Sequence, residues 1–303
     1  MDQSRAYLID ASIYIFRAWF SLPDQWHTVD GWPLNAVYGY TKFLLEFLES
    51  RSPTHCAAAF DESLGTCFRN DIFPAYKASR ELPDESLAFQ LRTCREITEV
   101  LGIPCFGGER FEADDYLATL AHHYREEGIA VTIMTRDKDL GQIIRDEHDQ
   151  WWDYSGGVLL DRDSFTEKYG VTPEQFADYQ ALVGDPVDDI PGVPGVGAKT
   201  AAALLRAFGD LESLHSGLDQ VSGLAVRGAS RLGARLAEHW PAVETSRALT
   251  GLVEQVPDVE GAPRPAISPA AAANLADYLV AINLEGPLTR RCAALTGSLS
   301  ASI

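Results

Sequence analysis

Ala6-Tyr7-Leu8-Ile9-Asp10 is a short apolar run that ends in a carboxylate. Its length and apolar character read as a buried strand. The pattern recurs twice. Cys56-Ala57-Ala58-Ala59-Phe60 runs into Asp61, and Ala130-Val131-Thr132-Ile133-Met134 is followed closely by Asp137-Lys138-Asp139. Helical patterns lie between them. One spans Ser12 to about Phe20 and carries Arg17; another starts at Asn35 and runs on Val37, Tyr40, Leu44, Phe47 and Leu48. Strands alternating with helices predict an α/β fold with a mostly parallel sheet. Such sheets place ligands beyond the carboxyl ends of their strands, where Asp10, Asp61 and Asp137 all stand. Any one of these residues is explained as a turn former or helix cap. The set as a whole asks for more.

Phe111-Glu112-Ala113-Asp114-Asp115 adds three carboxylates in four consecutive positions. Leu117, Leu120, Ala121 and Tyr124 follow at the spacing of one helix face, so the acids occupy a first turn. The helix dipole favours one or two acids there. A crowd of them repels unless a cation neutralises it. If Pro104 to Phe106 is a further short strand, this helix starts at the same sheet edge.

Residues 62–101 form a long excursion between two strands, the usual form of a lid or binding loop. It contains Phe68-Arg69 and Tyr76-Lys77-Ala78-Ser79-Arg80, then a helix from Ser86 to Leu101. A helix over Tyr76–Arg80 would project Lys77 and Arg80 together, with Tyr76 as a surface on which a base stacks. The alternative is a solvated helix face with a core tyrosine. Gln150 to Leu160, with its Ser155-Gly156-Gly157 turn, reads as a β-hairpin. Thr172-Pro173 caps a helix that breaks at Gly184, where Asp185 and Asp188 would face one way in a helical turn. Glycines 192, 195 and 197 then precede Lys199 and a helix on Ala202, Leu205 and Phe208. Open amides at a helix start form a phosphate site. P-loop spacing is absent, so the pattern suits a helix–hairpin–helix gripping a nucleic-acid backbone, or a plain glycine-rich connector. Arg227, Arg231 and Arg235 make a basic stripe. Gly261 to Pro269 reads as a linker, Ser268-Pro269 starts another helix, and Thr296 to Ile303 is expected to be disordered.

The 303 residues carry a net charge of -19, which argues against a generic nucleic-acid coat protein. Bound divalent cations would alter that balance locally. Five scattered cysteines without a CxxC pair suggest neither a zinc site nor a disulfide framework, and a cytoplasmic location is expected. No signal peptide and no membrane span are expected.

Taken in order, these pieces resemble the 5′-nuclease family, which includes flap endonucleases and the amino-terminal 5′–3′ exonuclease domain of bacterial DNA polymerase I. The motifs are Leu8-Ile9-Asp10, Ala59-Phe60-Asp61, Tyr76 to Arg80, Glu112 to Asp115, Thr135 to Asp139 and Gly184 to Ala201. The resemblance implies a PIN-like sheet flanked by helices over residues 1–170, with a helical arch at about 62–101. It implies a helix–hairpin–helix subdomain over 171–260, then a linker, a helix and a tail over 261–303. No polymerase domain follows in these residues, so a stand-alone form is expected. By position, Asp10, Asp61, Glu112, Asp114 and Asp115 resemble the tighter metal group, and Asp137, Asp139, Asp185 and Asp188 the second. Lys77 and Arg80 resemble arch cations that contact the scissile phosphate, Tyr76 a stacking residue and Arg69 a further phosphate contact. Gly192, Gly195, Gly197 and Lys199 resemble the duplex-backbone anchor, whose loop in this family can hold K⁺. Two departures stand out: Pro194 replaces a basic or polar hairpin residue, and Asp71, Glu81, Asp84 and Glu85 weaken the field of the arch.

The implied function is a two-metal, structure-specific nuclease, either a flap endonuclease or a 5′–3′ exonuclease. Hard oxygen ligands select Mg²⁺ or Mn²⁺. The expected partners are DNA flaps, junctions and 5′ ends, with a functional link to a DNA polymerase, no membrane, and a monomeric state. The rival readings are a catalytically weak branched-DNA-binding protein and a PIN-type ribonuclease.

Overall fold

Strands that are apolar on both faces need cover on both sides, and this requirement shapes the first part of the chain. In the computed structural model, which describes residues 4–301, β1 (Arg5–Asp10) is followed by α1 (Ala11–Ser21), α2 (Asn35–Arg51) and β2 (His55–Ala59). Next come α3 (Phe68–Ile72), α4 (Glu85–Val100), β3 (Cys105–Phe106), α5 (Ala113–Glu126) and β4 (Ala130–Met134). The remaining elements are β5 (Gln150–Asp153), β6 (Val158–Leu160), α6 (Arg162–Tyr169), α7 (Phe176–Val183), α8 (Ala198–Phe208), α9 (Leu211–Ser216), α10 (Ala229–Thr250), α11 (Pro269–Ala281) and α12 (Pro287–Ala301). Among the described residues no helix is long and apolar enough to cross a membrane.

These elements form two compact units. The first comprises the chain up to Glu62, Leu82–Arg136 and the chain from Glu254 on; the second comprises Ser63–Glu81 and Asp137–Val253. In the first unit the strands lie in the order β3-β2-β1-β4 and every pairing is parallel. β2 and β4 are buried at every position. Helix α5 packs on β1, β2 and β4, while α2 packs against α1 and α4. Because β1 is central, with β2 on one side and β4 on the other, the strand order reverses beside it. That is where a doubly wound sheet opens a crevice for ligands.

The tail departs from expectation. It is helical through Ala301, and only residues 302–303 lie outside the described residues. Leu288, Cys292 and Leu295 are buried along one helix face, and Arg291 pairs with Glu46 and Glu49 of α2 at 3.0 and 2.7 Å. The anchoring partners are more than 240 residues away in sequence, so a local pattern rich in Ala, Thr and Ser did not reveal them. The segment before α11 is held as well: Ala266 donates its N–H to Gly102 O at 2.7 Å, and the Tyr124 hydroxyl bonds to Pro263 O.

In the second unit β5 and β6 form the expected antiparallel hairpin. The core is built on Phe165, Phe176, Leu182, Leu204, Leu236 and Trp240. Gly141, in a 3₁₀ turn over Asp139–Ile143, lies against the Phe165 ring so closely that an added Cβ would fall 2.0 Å from Cε2. Phe165 is fully buried and sits between Tyr169 and Phe176, so it has no room to yield. Gly141→Ala is therefore expected to overpack this core and cost about 1–3 kcal/mol. Thermal unfolding checks this; an unchanged midpoint would mean that the ring can move.

Candidate active site

The first unit collects carboxylates at the carboxyl edge of its sheet. Asp10 ends β1 and caps α1, and it is only 6% exposed. Its Oδ1 accepts the Ile13 N–H at 3.4 Å, and its Oδ2 accepts the hydroxyl of buried Thr135 at 2.7 Å. Thr135 directly follows β4, so this bond spans the place where the strand order reverses. Asp61, just beyond β2, donates its N–H to Ser12 Oγ at 2.9 Å, tying that strand's end to the first turn of α1. Glu112, 5% exposed, is the N-cap of α5. Asp115 is fully buried and closes a capping box by accepting the Glu112 N–H at 3.1 Å. The ordinary helix-capping explanation thus holds for Asp115, while Asp114 beside it remains partly exposed. Neither Thr135 nor Ser12 is among the site residues expected from the sequence, although Thr135 opens one of the motifs. A hydroxyl next to a strand end is too common a signal.

All four acids of the second set lie in the second unit. The Asp139 N–H bonds Asp137 Oδ1 at 2.9 Å, and the Trp151 indole donates to Asp137 O at 2.7 Å, which shapes this turn. Asp139 Oδ1 is buried and accepts no hydrogen bond. Lys138 Nζ lies 3.1 Å from that atom, as an ion pair without hydrogen-bond alignment, and donates to Asp185 Oδ2 at 2.9 Å. Burial and then the neighbouring Asp137 carboxylate push the Asp139 carboxyl up to about 6, against the pull of Lys138. Burial disfavours the Lys138 ammonium, but Asp139 and Asp185 outweigh that and hold its pKa above the ordinary lysine value. Lys138 was missed as a site residue, although it stands between two candidate ligands in the sequence.

Asp188 is engaged by the expected phosphate-binding cations. Lys77 Nζ lies 3.9 Å from its Oδ2, and Arg80 forms an ion pair with its Oδ1. The backbones meet too. Lys77 N–H donates to Asp188 O at 3.0 Å, and Ser79 N–H donates to Asp189 Oδ2 at 2.9 Å. Burial raises the Asp188 carboxyl even with Lys77 and Arg80 beside it. Tyr76–Arg80 is not a helix: Pro74 precedes a run of turns, and Lys77 adopts a left-handed φ of 53°. Asp185 and Asp188 also do not share a partner, since Asp185 is turned onto Lys138.

Among the described residues no group of three or more His, Cys, Asp or Glu side chains is posed to hold a metal ion. The donor chemistry still fits one. Both acidic sets offer only carboxylate oxygen, the preference of hard divalent ions. The buried Asp139 oxygen without a hydrogen bond, and the raised carboxyl that bears it, are relieved by an added cation.

Two expected DNA contacts sit in the interior instead. Tyr76, 4% exposed, packs with Ile190 and Leu249, so its ring is not presented as a stacking surface. Arg69, 1% exposed, donates to Leu249 O and Gly251 O at 2.8 Å each and so caps the end of α10. In the hairpin a Cβ on Gly192 would fall 2.1 Å from Val183 O, and Gly195 has φ +78°, so both positions need glycine. Gly197 is the N-cap of α8 without a side-chain cap, and Lys199 is exposed in the first turn. Arg235 of the basic stripe donates to Pro194 O at 3.1 Å and so braces the hairpin; Arg227 and Arg231 are exposed. Because buried Arg69 satisfies the carbonyls of Leu249 and Gly251, Arg69→Met is expected to destabilise the protein by about 2–4 kcal/mol in urea melts. Unchanged stability would show that these carbonyls do not depend on the guanidinium.

Comparison with known proteins adds an independent line. Residues 5–170 match the model for the 5′-3′ exonuclease N-terminal resolvase-like domain, and residues 171–272 match that for the 5′-3′ exonuclease C-terminal SAM fold. DNA polymerase I of Mycobacterium tuberculosis is 41% identical over 254 residues, covering 82% of this chain and 27% of the relative. The thermostable DNA polymerase I of Thermus thermophilus is 37% identical over 263 residues, covering 86% and 30%. The chain thus spans less than a third of the length of these relatives. In fold it is similar to T5 5′-exonuclease with bound zinc, at TM-score 0.68 and 18% identity over 98% of both chains. It is also similar to the catalytic core of Rad2 in complex with DNA substrate, at TM-score 0.65 and 15% identity over 98% and 92%. With both parts of the family model matched in order and the carboxylates placed at the sheet edge, the chain belongs to the 5′-3′ exonuclease family.

Proposed function

We propose that this chain is a divalent-metal-dependent, structure-specific 5′-nuclease that hydrolyses DNA phosphodiesters at flaps, junctions or 5′ ends. The observation that carries the reading is the buried carboxylate set at the end of the central strands, with Asp10 and Glu112 each about 5% exposed and no histidine or cysteine among the donors. Carboxylates removed from water need counter-charge, and a pure DNA-binding protein gains nothing from an anionic pocket. The zinc bound to T5 5′-exonuclease and the DNA bound to Rad2 support the same reading.

Oxygen-only donors favour Mg²⁺ or Mn²⁺ over zinc. Asp10, Asp61, Glu112 and Asp114 are the residues to hold one ion, and Asp137, Asp139, Asp185 and Asp188 the other. When bound, the ions would activate a water and neutralise charge on the phosphate being cleaved. The protein's own part is positional. Thr135 and the Ile13 N–H hold the Asp10 carboxylate in one orientation. Lys77 and Arg80 stabilise phosphoryl oxygens after exchanging Asp188 for the substrate. Tyr76 anchors their turn through Ile190 and Leu249. The exposed start of α8 with Lys199 grips the duplex backbone without reading sequence. A potassium ion on the hairpin carbonyls, a monomeric cytoplasmic protein and a functional link to a DNA polymerase belong to the same proposal.

Asp114→Ala and Asp139→Ala are each expected to abolish cleavage of a 5′-flap oligonucleotide in Mg²⁺, as EDTA does to the wild type. Lys199→Ala should mainly raise KM. Paired DNA and RNA flaps separate this function from a ribonuclease. Wild-type cleavage by Asp114→Ala would remove the metal assignment, and tight flap binding without cleavage would leave a branched-DNA binder.

A further inference from the structure

The second acidic set carries its own cation. Lys138 lies between Asp137 and Asp139 in sequence, and its ammonium sits 2.9 Å from Asp185 Oδ2 and 3.1 Å from Asp139 Oδ1. These are two of the oxygens that the proposed function assigns to a divalent ion. An ammonium and a divalent ion repel each other, and both need the same carboxylates. The ammonium faces Asp139 Oδ1 as an ion pair at 3.1 Å, without the alignment of a hydrogen bond. The Lys138 side chain is 43% exposed on a long flexible stem, so it can withdraw to solvent without disturbing the core. In the first unit two of the groups that hold Asp10 are neutral donors, the Thr135 hydroxyl and the Ile13 N–H.

We propose that Lys138 is a positioning residue, a tethered counter-ion that competes with the divalent ion for Asp139 and Asp185 and keeps the second acidic set weak for metal until the ammonium is displaced. Filling that set is then an exchange, one divalent ion in and one ammonium out. Without this cation Asp137, Asp139 and Asp185 would repel one another whenever no metal is bound; with it, the folded chain tolerates the empty state. The inference rests on the metal-dependent nuclease reading.

The test is a Mn²⁺ titration of the full chain, stripped with EDTA and free of DNA, following free Mn²⁺ by electron paramagnetic resonance. Wild type should bind one ion tightly and a second more weakly. Lys138→Met, with Lys138→Gln as the second variant, should tighten the weaker ion at least about tenfold. Lys138→Arg, which keeps the charge, should bind like the wild type. Thermal unfolding in EDTA confirms that the variants compared are folded. A merely structural ion pair predicts the opposite, equal or weaker Mn²⁺ binding in both neutral variants, and that result overturns the inference while wild-type Mn²⁺ binding and flap cleavage stand. Wild type that neither binds Mn²⁺ nor cleaves a flap overturns the nuclease reading and this inference together.

Discussion

Carboxylates removed from water must be given counter-charge or hydrogen-bond donors, and this chain answers that constraint differently in its two units. In the first, Asp10 and Asp115 accept hydrogen bonds from a hydroxyl and backbone N–H groups, which orient them. In the second, Lys138 neutralises Asp139 and Asp185, and Lys77 and Arg80 neutralise Asp188.

The sheet explains why the first set can exist. A central strand with neighbours on both sides opens a crevice at its carboxyl end, and Asp10 ends that strand. Its bond to Thr135 joins β1 to the residue after β4, so the site's geometry is held by the sheet rather than by a loop. In the second unit the geometry rests on two facing turns. Lys77 and Asp189 both take left-handed backbone, and the Tyr76 ring holds the turn from beneath. A positive φ at a non-glycine residue costs energy, and several charged contacts across these turns offset it.

Charge also explains how a protein of net -19 can belong to a family of nucleases acting on a polyanion. The basic groups that could meet phosphate are placed locally. Lys199 is exposed just after the glycine hairpin, which Arg235 braces, and Arg227 and Arg231 are exposed as well. Net charge describes the whole surface, while phosphate contact depends on a few positions.

What the sequence alone determined was whatever depends on short-range periodicity and residue type. The three main strands, the helices at 11–21 and 35–51, the α5 start at Glu112 and the hairpin at 150–160 were legible, because burial imposes a period on the residues that meet the core. The candidate acids were legible too, since carboxylates after strands are a visible pattern. The tertiary structure decided what each polar side chain touches. It turned Tyr76 and Arg69 inward, onto Leu249 and, for Arg69, Gly251, and it broke the expected helix at Lys77. It bound the tail to α2 and set Lys138 between Asp139 and Asp185. The reason is physical: a hydrogen bond or ion pair is chosen by distance in space, and partners 47 or 180 residues apart leave no mark on the local spacing.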